Sequence, residues 1–513
     1  MASLRVRTVV LALGQFVHTG MNMIMAMVLV RILAKDSYGT FRQVLDIHAL
    51  IVGILGANIS ESLLYFLPRT GAADKPRWLS QTGQLSFMVG MAVGAVLFLT
   101  ADFWAAQYNN PDLALLLRVF AFFPLADHIL RMVPPAMIAE DHAASAAGFT
   151  VAVGVTKLAS AIIPCALGMP LVSVFWSMNL CWMAMAVVGL IVLATRIGFA
   201  MRLPRMADLR EQIGYVLPLL AGSIVWILGI QLGRFVAGTY LSEARYAEFV
   251  NGAIQLPLIG IWTASIASAI MPDLVRLGQE EKHDVILDLW HRAFRKGAIL
   301  MFPVAALMLV VPDYVIRTLY GPAYAASTII FVIYLLSIPI RAVHHGIIFR
   351  AIGHNRAIFI GALVGLGVNA AVTFPMAIVG KGTQWLFVGP ALGFLAGTLA
   401  QVVTLQIMLR RLLEVSWGRL IPMGDLVPLA LLSIVAAGAA ACSRWAPAAE
   451  WVAAMGNGES DPSAAMASLG SAAQCALASV VFMAVYLGAG LATNTFDKGE
   501  RDILRRMLLL RRR

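Results

Sequence analysis

Five cations, Arg118, Arg131, Lys157, Arg234 and Arg341, and two clear acids, Glu61 and Asp127, stand out inside stretches that otherwise read as hydrocarbon. A charge at the centre of a membrane helix costs about 2.5–3.5 kcal/mol on insertion scales, so such residues persist where they face a bundle interior or a wet cavity. Five cations against two acids leave positive charge to spare. A cationic cavity suits an anion such as a phosphate or pyrophosphate, whose oxygens accept charge-assisted hydrogen bonds. Each residue also has a plainer use. Arg118 and Arg341 lie towards opposite ends of their stretches and can snorkel to the interface. Asp127 and Arg131 are spaced i, i+4 and can pair on one helix face. Lys157 sits near mid-span, where snorkelling is hardest, and Arg234 falls in a repeated turn region. These five cations form the candidate substrate-binding set. Glu61, Asp127 and His18, with the amides Asn58, Gln231, Asn251 and Gln255, form a second set suited to ion coupling or to lining a cavity. No covalent chemistry is expected. Cys165, Cys181, Cys442 and Cys475 lie in or beside apolar runs without metal-ligand spacing, so neither a metal nor a cofactor is expected.

The elements that must hold these residues are apolar helices. Hydrophobic residues make up 60% of the 513 and charged residues 13%, against about 25% charged in a soluble domain. The chain therefore reads as an all-α polytopic membrane protein. Its net charge of +11 does not point to nucleic acid, because the basic residues sit in short loops. Apolar runs of about 20 residues cross a bilayer as helices. Fourteen are expected, near 9–33, 41–67, 78–101, 113–138, 143–167, 171–195, 215–239, 246–271, 297–311, 324–349, 357–379, 385–409, 425–445 and 465–492. The charged segment 273–296 is expected to be a surface helix carrying Trp290, and 498–513 a basic amphipathic tail facing membrane lipids.

The chain also repeats itself. Leu33, Tyr38, Phe41, Leu50, Ile51 and Ser60 recur 208 residues later as Leu241, Tyr246, Phe249, Leu258, Ile259 and Ser268. Asp102 and Pro111 recur as Asp313 and Pro322. The shared turn L-x-x-x-x-Y-x-x-F between two spans is the informative part. Two related bundles rocking about a common site are the architecture of alternating access. The expected organisation is an N-lobe of spans 1–6 over residues 1–200, a C-lobe of spans 7–12 over 201–412, and spans 13–14 with the tail over 413–513.

The opening turn RILAKDSYGTF, followed by a span ending YFLPR, together with length, span number and two-fold repeat, resembles the bacterial polysaccharide transporters. These are the O-antigen and exopolysaccharide (lipid-linked oligosaccharide) flippases of the multidrug/oligosaccharidyl-lipid/polysaccharide (MOP) exporter superfamily. The resemblance covers spans 1–12, and spans 13–14 by count alone. It implies two six-helix lobes in a V, a cavity bordered by spans 1, 2, 7 and 8, and outward movement of a polyprenyl-diphosphate-linked glycan across the bacterial inner membrane. The partners it implies are the lipid-linked glycan, membrane lipids, a coupling ion (H+ or Na+) and glycan polymerase or export machinery, with no nucleic acid. Two relatives compete with this reading, a cation-coupled multidrug antiporter and a peptidoglycan-precursor flippase. A membrane glycan polymerase or ligase is a remote alternative. It would be expected to carry a large outer loop of clustered His, Arg and acids, whereas the longest here, 445–464, is rich in Ala, Gly and Ser.

With fourteen spans the two termini share a side. Twenty-six of the 38 Lys and Arg flank that side, seven flank the other, and five lie within spans. The positive-inside rule then puts both termini in the cytoplasm. Reporter fusions after Arg77, Gln212 and Lys296 are expected to read cytoplasmic, and fusions after Asn110 and Asp461 periplasmic. A periplasmic signal at Gln212, which joins the halves, would break the two-lobe order.

Overall fold

The computed structural model describes residues 4–56, 59–198, 205–280, 282–343, 345–445 and 464–502. Every regular element among them is helical. Among the described residues ten helices are long and apolar enough to cross a membrane, or up to twelve if each of two bent pairs counts as one span. The bent pairs are spans 2 and 4. Span 2 is Lys35–Leu55 followed by Ser60–Arg69, and span 4 is Asp112–Phe120 followed by Phe123–Ala139, turning by 43°.

The two expected spans missing from that number are 8 and 10, and both are broken. Span 8 consists of Glu243–Gly252 and Pro257–Gln279, with residues 253–256 outside either helix. Pro257 has no N–H and disfavours a helical residue before it; Leu256 is accordingly extended, with φ −65° and ψ 118°. Span 10 consists of Ser327–Ile340, only 14 residues long, and Ile347–Ala351. Pro339 sits in its last turn, which closes with a tight bond from the Arg341 N–H to the Ile338 carbonyl at 3.0 Å. Breaks therefore occur at the second and fourth span of each half.

The surface helix expected over 273–296 is corrected. The Pro257–Gln279 helix runs into it from one side, and a continuous helix, His283–Val310, takes up the rest. Ile286, Leu287, Trp290, Ala293 and Phe294 fall at i, i+1, i+4, i+7 and i+8, one face of a helix, and all five are buried. The charged residues interleave on the other face, which is why the segment reads as surface when charge alone is weighed. Trp290 is fully buried, its ring 5.8 Å from that of His345. Lys296 consequently lies within a helix.

The repeat is structural. Helices start at Lys35 and again at Glu243, the same 208-residue offset. Tyr and Phe three apart share a helix face, and Tyr38, Phe41, Tyr246 and Phe249 are all at most 1% exposed. At Gly39 a Cβ would strike the backbone of Glu243, so glycine allows the two repeated helix starts to touch.

The chain divides into two compact units, Met1–Ala247 and Glu248–Arg513. Span 7, Met206–Tyr240, packs on span 2 in the first unit, one span beyond the expected lobe limit at residue 200. Fully buried Gln212 fixes it there, accepting from Gln81 Nε2 and donating to Ser62 Oγ and Thr82 Oγ1, all at 2.8 Å. In the second unit Arg295 of span 9 binds Asp425 at 2.8 Å, Glu500 at 2.9 Å and the Thr495 carbonyl at 2.7 Å. One guanidinium thus ties span 9 to the start of span 13 and to the segment after span 14.

Gly297 of span 9 lies against the backbone of the break in span 10, where an added Cβ would collide with the Ala342 carbonyl oxygen. Gly297→Ala is expected to cost about 1–3 kcal/mol through overpacking and to lower the thermal midpoint of the detergent-solubilised protein by several degrees. An unchanged midpoint would show that the break gives way freely.

Candidate functional site

The first unit is organised around an acid that the sequence reading passed over. Asp46, on the Lys35–Leu55 helix, is buried. Its Oδ1 accepts from an Arg234 guanidinium nitrogen at 2.7 Å and its Oδ2 from the Tyr246 hydroxyl at 2.8 Å. Its carbonyl accepts from Gln231 Nε2 at 2.9 Å, and Gln231 Oε1 accepts from Arg234 at 3.2 Å. Arg42, one turn earlier, stands 3.9 Å from the same carboxylate. Arg234 and Gln231, both named from sequence as cavity residues, therefore join span 7 to span 2. The available signal was period. Arg42 and Asp46 are one turn apart on one helix face, and Tyr246 is the repeated tyrosine.

Two more of the candidate cations are compensated. Arg118 binds Asp102 at 2.5 Å on an exposed surface. Arg131 Nε binds Asp127 at 2.7 Å, and Trp182 Nε1 donates to the other Asp127 oxygen at 3.2 Å. Asp127 is thus held as a structural acceptor between spans 4 and 6. Glu61 is exposed on the short turn Ser60–Ser62 at the break of span 2. Asn58 lies outside the described residues.

Lys157 differs. Its Nζ donates to Asn22 Oδ1 at 2.9 Å, and Asn22 Nδ2 donates to the carbonyl of His18 at 2.9 Å. This places His18, Asn22 and Lys157 in one polar seam between spans 1 and 5, where Gly154 lets His18 and Met21 approach. Its hydrogen-bond partner is neutral, and no carboxylate among the described residues forms an ion pair with it. The nearby charges that act on it are Asp127, already paired, and the cations Arg42 and Arg131.

In the second unit the breaks of spans 8 and 10 meet at a cavity of about 150 Å³. One wall is the non-helical stretch with Ile254, Gln255 and Leu256; the other carries Tyr334, Ser337 and Arg341. The Arg341 guanidinium has neither an ion-pair nor a hydrogen-bond partner among the described residues, and burial is the influence acting on it. Irregular backbone at membrane depth is tolerated where it lines a cavity, and here it does. The amino end of the Pro257–Gln279 helix opens on the same space and adds the positive end of its dipole. Gln255 is exposed to the cavity, while Asn251 is buried beside Gly252, where the preceding helix ends. Arg341 and Gln255 are thus brought together, and the arrangement can hold an anion.

Comparison with known proteins agrees with this architecture. Two family models match: "Polysaccharide biosynthesis protein" over residues 5–277 and "Lipid II flippase MurJ" over residues 158–454. Among solved structures, lipid II flippase MurJ in an inward closed conformation aligns with a TM-score of 0.69 at 11% identity, over 94% of this chain and 99% of that one. An inward-facing multidrug resistance MATE family transporter of the MOP superfamily gives 0.64 at 14% identity, over 77% and 94%. A MOP superfamily transporter from Pyrococcus furiosus gives 0.53 at 15%, over 80% and 95%. At such identities the likeness is one of fold. No curated protein matches the sequence. The chain is a multi-pass, flippase-type membrane transporter: it belongs to the polysaccharide biosynthesis protein family, and the lipid II flippase family covers its later part.

Breaking a buried ion pair by removing one partner costs on the order of 3–5 kcal/mol, because the other charge is left uncompensated. Asp46→Ala and Arg234→Ala are each expected to lower the thermal midpoint markedly, and the double variant to lose much less than their sum. Additive losses would mean that the two charges are not coupled.

Proposed function

We propose that the protein is an alternating-access flippase of the bacterial inner membrane, with both termini cytoplasmic, that moves a polyprenyl-diphosphate-linked glycan outward. The observation that carries this reading is the residual charge. Of five in-span cations, three have carboxylate partners, and two, Lys157 and Arg341, have none among the described residues. One lies in each unit. Uncompensated cations at membrane depth suit a diphosphate, and the broken spans supply the cavity in which one can be met. The family relationship supports a lipid-linked glycan over a free drug. The coupling ion, H+ or Na+, and the polymerase or export partners belong to the same reading.

Deletion is expected to abolish surface or secreted polysaccharide and to leave lipid-linked repeat units inside the cell. Normal polysaccharide with new drug sensitivity would select the antiporter instead. At the level of residues, a charged hydrogen bond contributes about 1.5–3 kcal/mol. Lys157→Ala or Arg341→Ala should therefore weaken substrate binding roughly ten- to a hundredfold. Export at matched membrane levels should fall for both, while Arg118→Ala, whose pair with Asp102 is exposed, stays near wild type. Full export by both Lys157→Ala and Arg341→Ala would sink the cationic-site reading.

A further inference from the structure

The break of span 10 carries a second polar group, His345, which the anion site at Arg341 does not account for. It stands between the helices Ser327–Ile340 and Ile347–Ala351 and is buried. Its ring lies 5.8 Å from that of Trp290 and 5.9 Å from that of Phe294, both on span 9. Each of its nitrogens is engaged. Nε2 is 2.9 Å from the carbonyl oxygen of Ile340, and Nδ1 is 2.8 Å from the side-chain amide of Gln406 on span 12. A carbonyl can only accept, so Nε2 carries a proton. Nδ1 is then the variable position, and the group opposite it can play either role. With the Gln406 NH2 facing it, Nδ1 accepts and the ring is neutral. With the Gln406 oxygen facing it, Nδ1 donates and the ring is an imidazolium. In the neutral arrangement Gln406 Oε1 is buried with no hydrogen-bond partner among the described residues. A buried acceptor left unpaired is costly, and turning the amide over to take a second imidazole proton gives it a partner.

The same ring is tied to the anion site through the backbone. The Ile340 carbonyl belongs to the peptide unit that joins Ile340 to Arg341, and Arg341 lines the cavity. We propose that His345 is a proton-binding site linked to anion binding at Arg341. This linkage rests on reading Arg341 as an anion site and adds a proton as its co-ligand. An imidazolium beside the cavity attracts the anion, and the anion in turn holds the imidazole proton, by the same factor in each direction. A unit charge about 10 Å from an anion, at an effective dielectric constant of about 20, changes affinity roughly tenfold. Anion affinity therefore rises as pH falls through the range where the ring takes its second proton. Other charges on the packed elements have partners of their own or face outward. On span 9, His291 meets the Arg419 carbonyl, Arg292 the Asp288 carbonyl, and Arg295 the acids Asp425 and Glu500; Asp284, Asp288 and Lys296 are exposed. On span 12, Arg410 donates to the Val415 carbonyl and Arg411 is exposed. Beyond the break, Arg350, His354 and Arg356 are exposed, and His344 lies outside the described residues. Arg341 is thus the cation whose field a charged His345 reinforces.

The test uses inorganic sulfate, a divalent anion whose own charge is constant between pH 5.5 and pH 8, on the full-length protein in detergent. Wild type is expected to bind it roughly tenfold more tightly at pH 5.5 than at pH 8. His345→Gln keeps an N–H for the Ile340 carbonyl but cannot be charged. It is expected to bind sulfate as the wild type does at pH 8, which reports that it is folded, and to gain nothing at pH 5.5. Gln406→Met offers no oxygen to an Nδ1–H, so it should shrink the gain at pH 5.5 while leaving binding at pH 8 near wild type. Arg341→Gln is expected to weaken binding at both pH values. Equal wild-type affinity at the two pH values overturns the proton site, and so does a full gain retained by His345→Gln. A wild-type protein that binds no sulfate, or binding that Arg341→Gln leaves untouched, sinks the anion-site reading itself, which separates the two failures.

Discussion

A carboxylate removed from water inside a membrane protein has to be answered by donors, and Asp46 is answered on both oxygens. Arg234, Tyr246 and the more distant Arg42 converge on its side chain, and Gln231 takes its carbonyl. Apart from Arg42, the partners come from span 7 and from the helix start after it, so this residue ties both to span 2 within the first unit. Hydrogen bonds to charged groups contribute about 1.5–3 kcal/mol each, comparable with the insertion cost of a single in-span charge. The network therefore roughly offsets the burial of its own charges, and its main effect is to fix how spans 2 and 7 are joined. Gln212 repeats the logic at the other end of span 7 without charge.

The cation problem divides along the same line. Charges with an acid one turn away or on a packed neighbour are structural: Arg131 with Asp127, Arg118 with Asp102, Arg234 with Asp46. Lys157 and Arg341 have only neutral or absent partners among the described residues. On the proposed reading, these are the residues left to meet an anion.

Much of this was legible in the sequence. Composition gives the class, and the 208-residue offset reappears in the helix starts at Lys35 and Glu243. The i, i+4 spacing of Asp127 and Arg131 is realised as an ion pair. Three things were not legible, each for a physical reason. Hydropathy counts apolar residues and ignores whether a helix is continuous, so spans 8 and 10 look whole although proline interrupts them. Charge counting hid the buried face of 283–310, because the apolar positions around Trp290 show only at helical period. Asp46 escaped because its two hydrogen-bonded partners, Arg234 and Tyr246, lie about 190–200 residues away in sequence, and the i, i+4 spacing to Arg42 was the one local hint.

The uncompensated pair also has an electrical meaning. On the proposed reading, a carrier whose Lys157 and Arg341 have no carboxylate partner among the described residues is more positive when empty than when an anionic substrate is bound. Moving one elementary charge through the whole membrane field is worth about 2.3 kcal/mol per 100 mV, and even a fraction of that path matters to a transition of a few kcal/mol. A potential negative inside the cell would then favour the empty carrier turning its cations towards the cytoplasm and would act less on the loaded one. The return of the empty protein, rather than the passage of its cargo, becomes the voltage-sensitive half of the cycle.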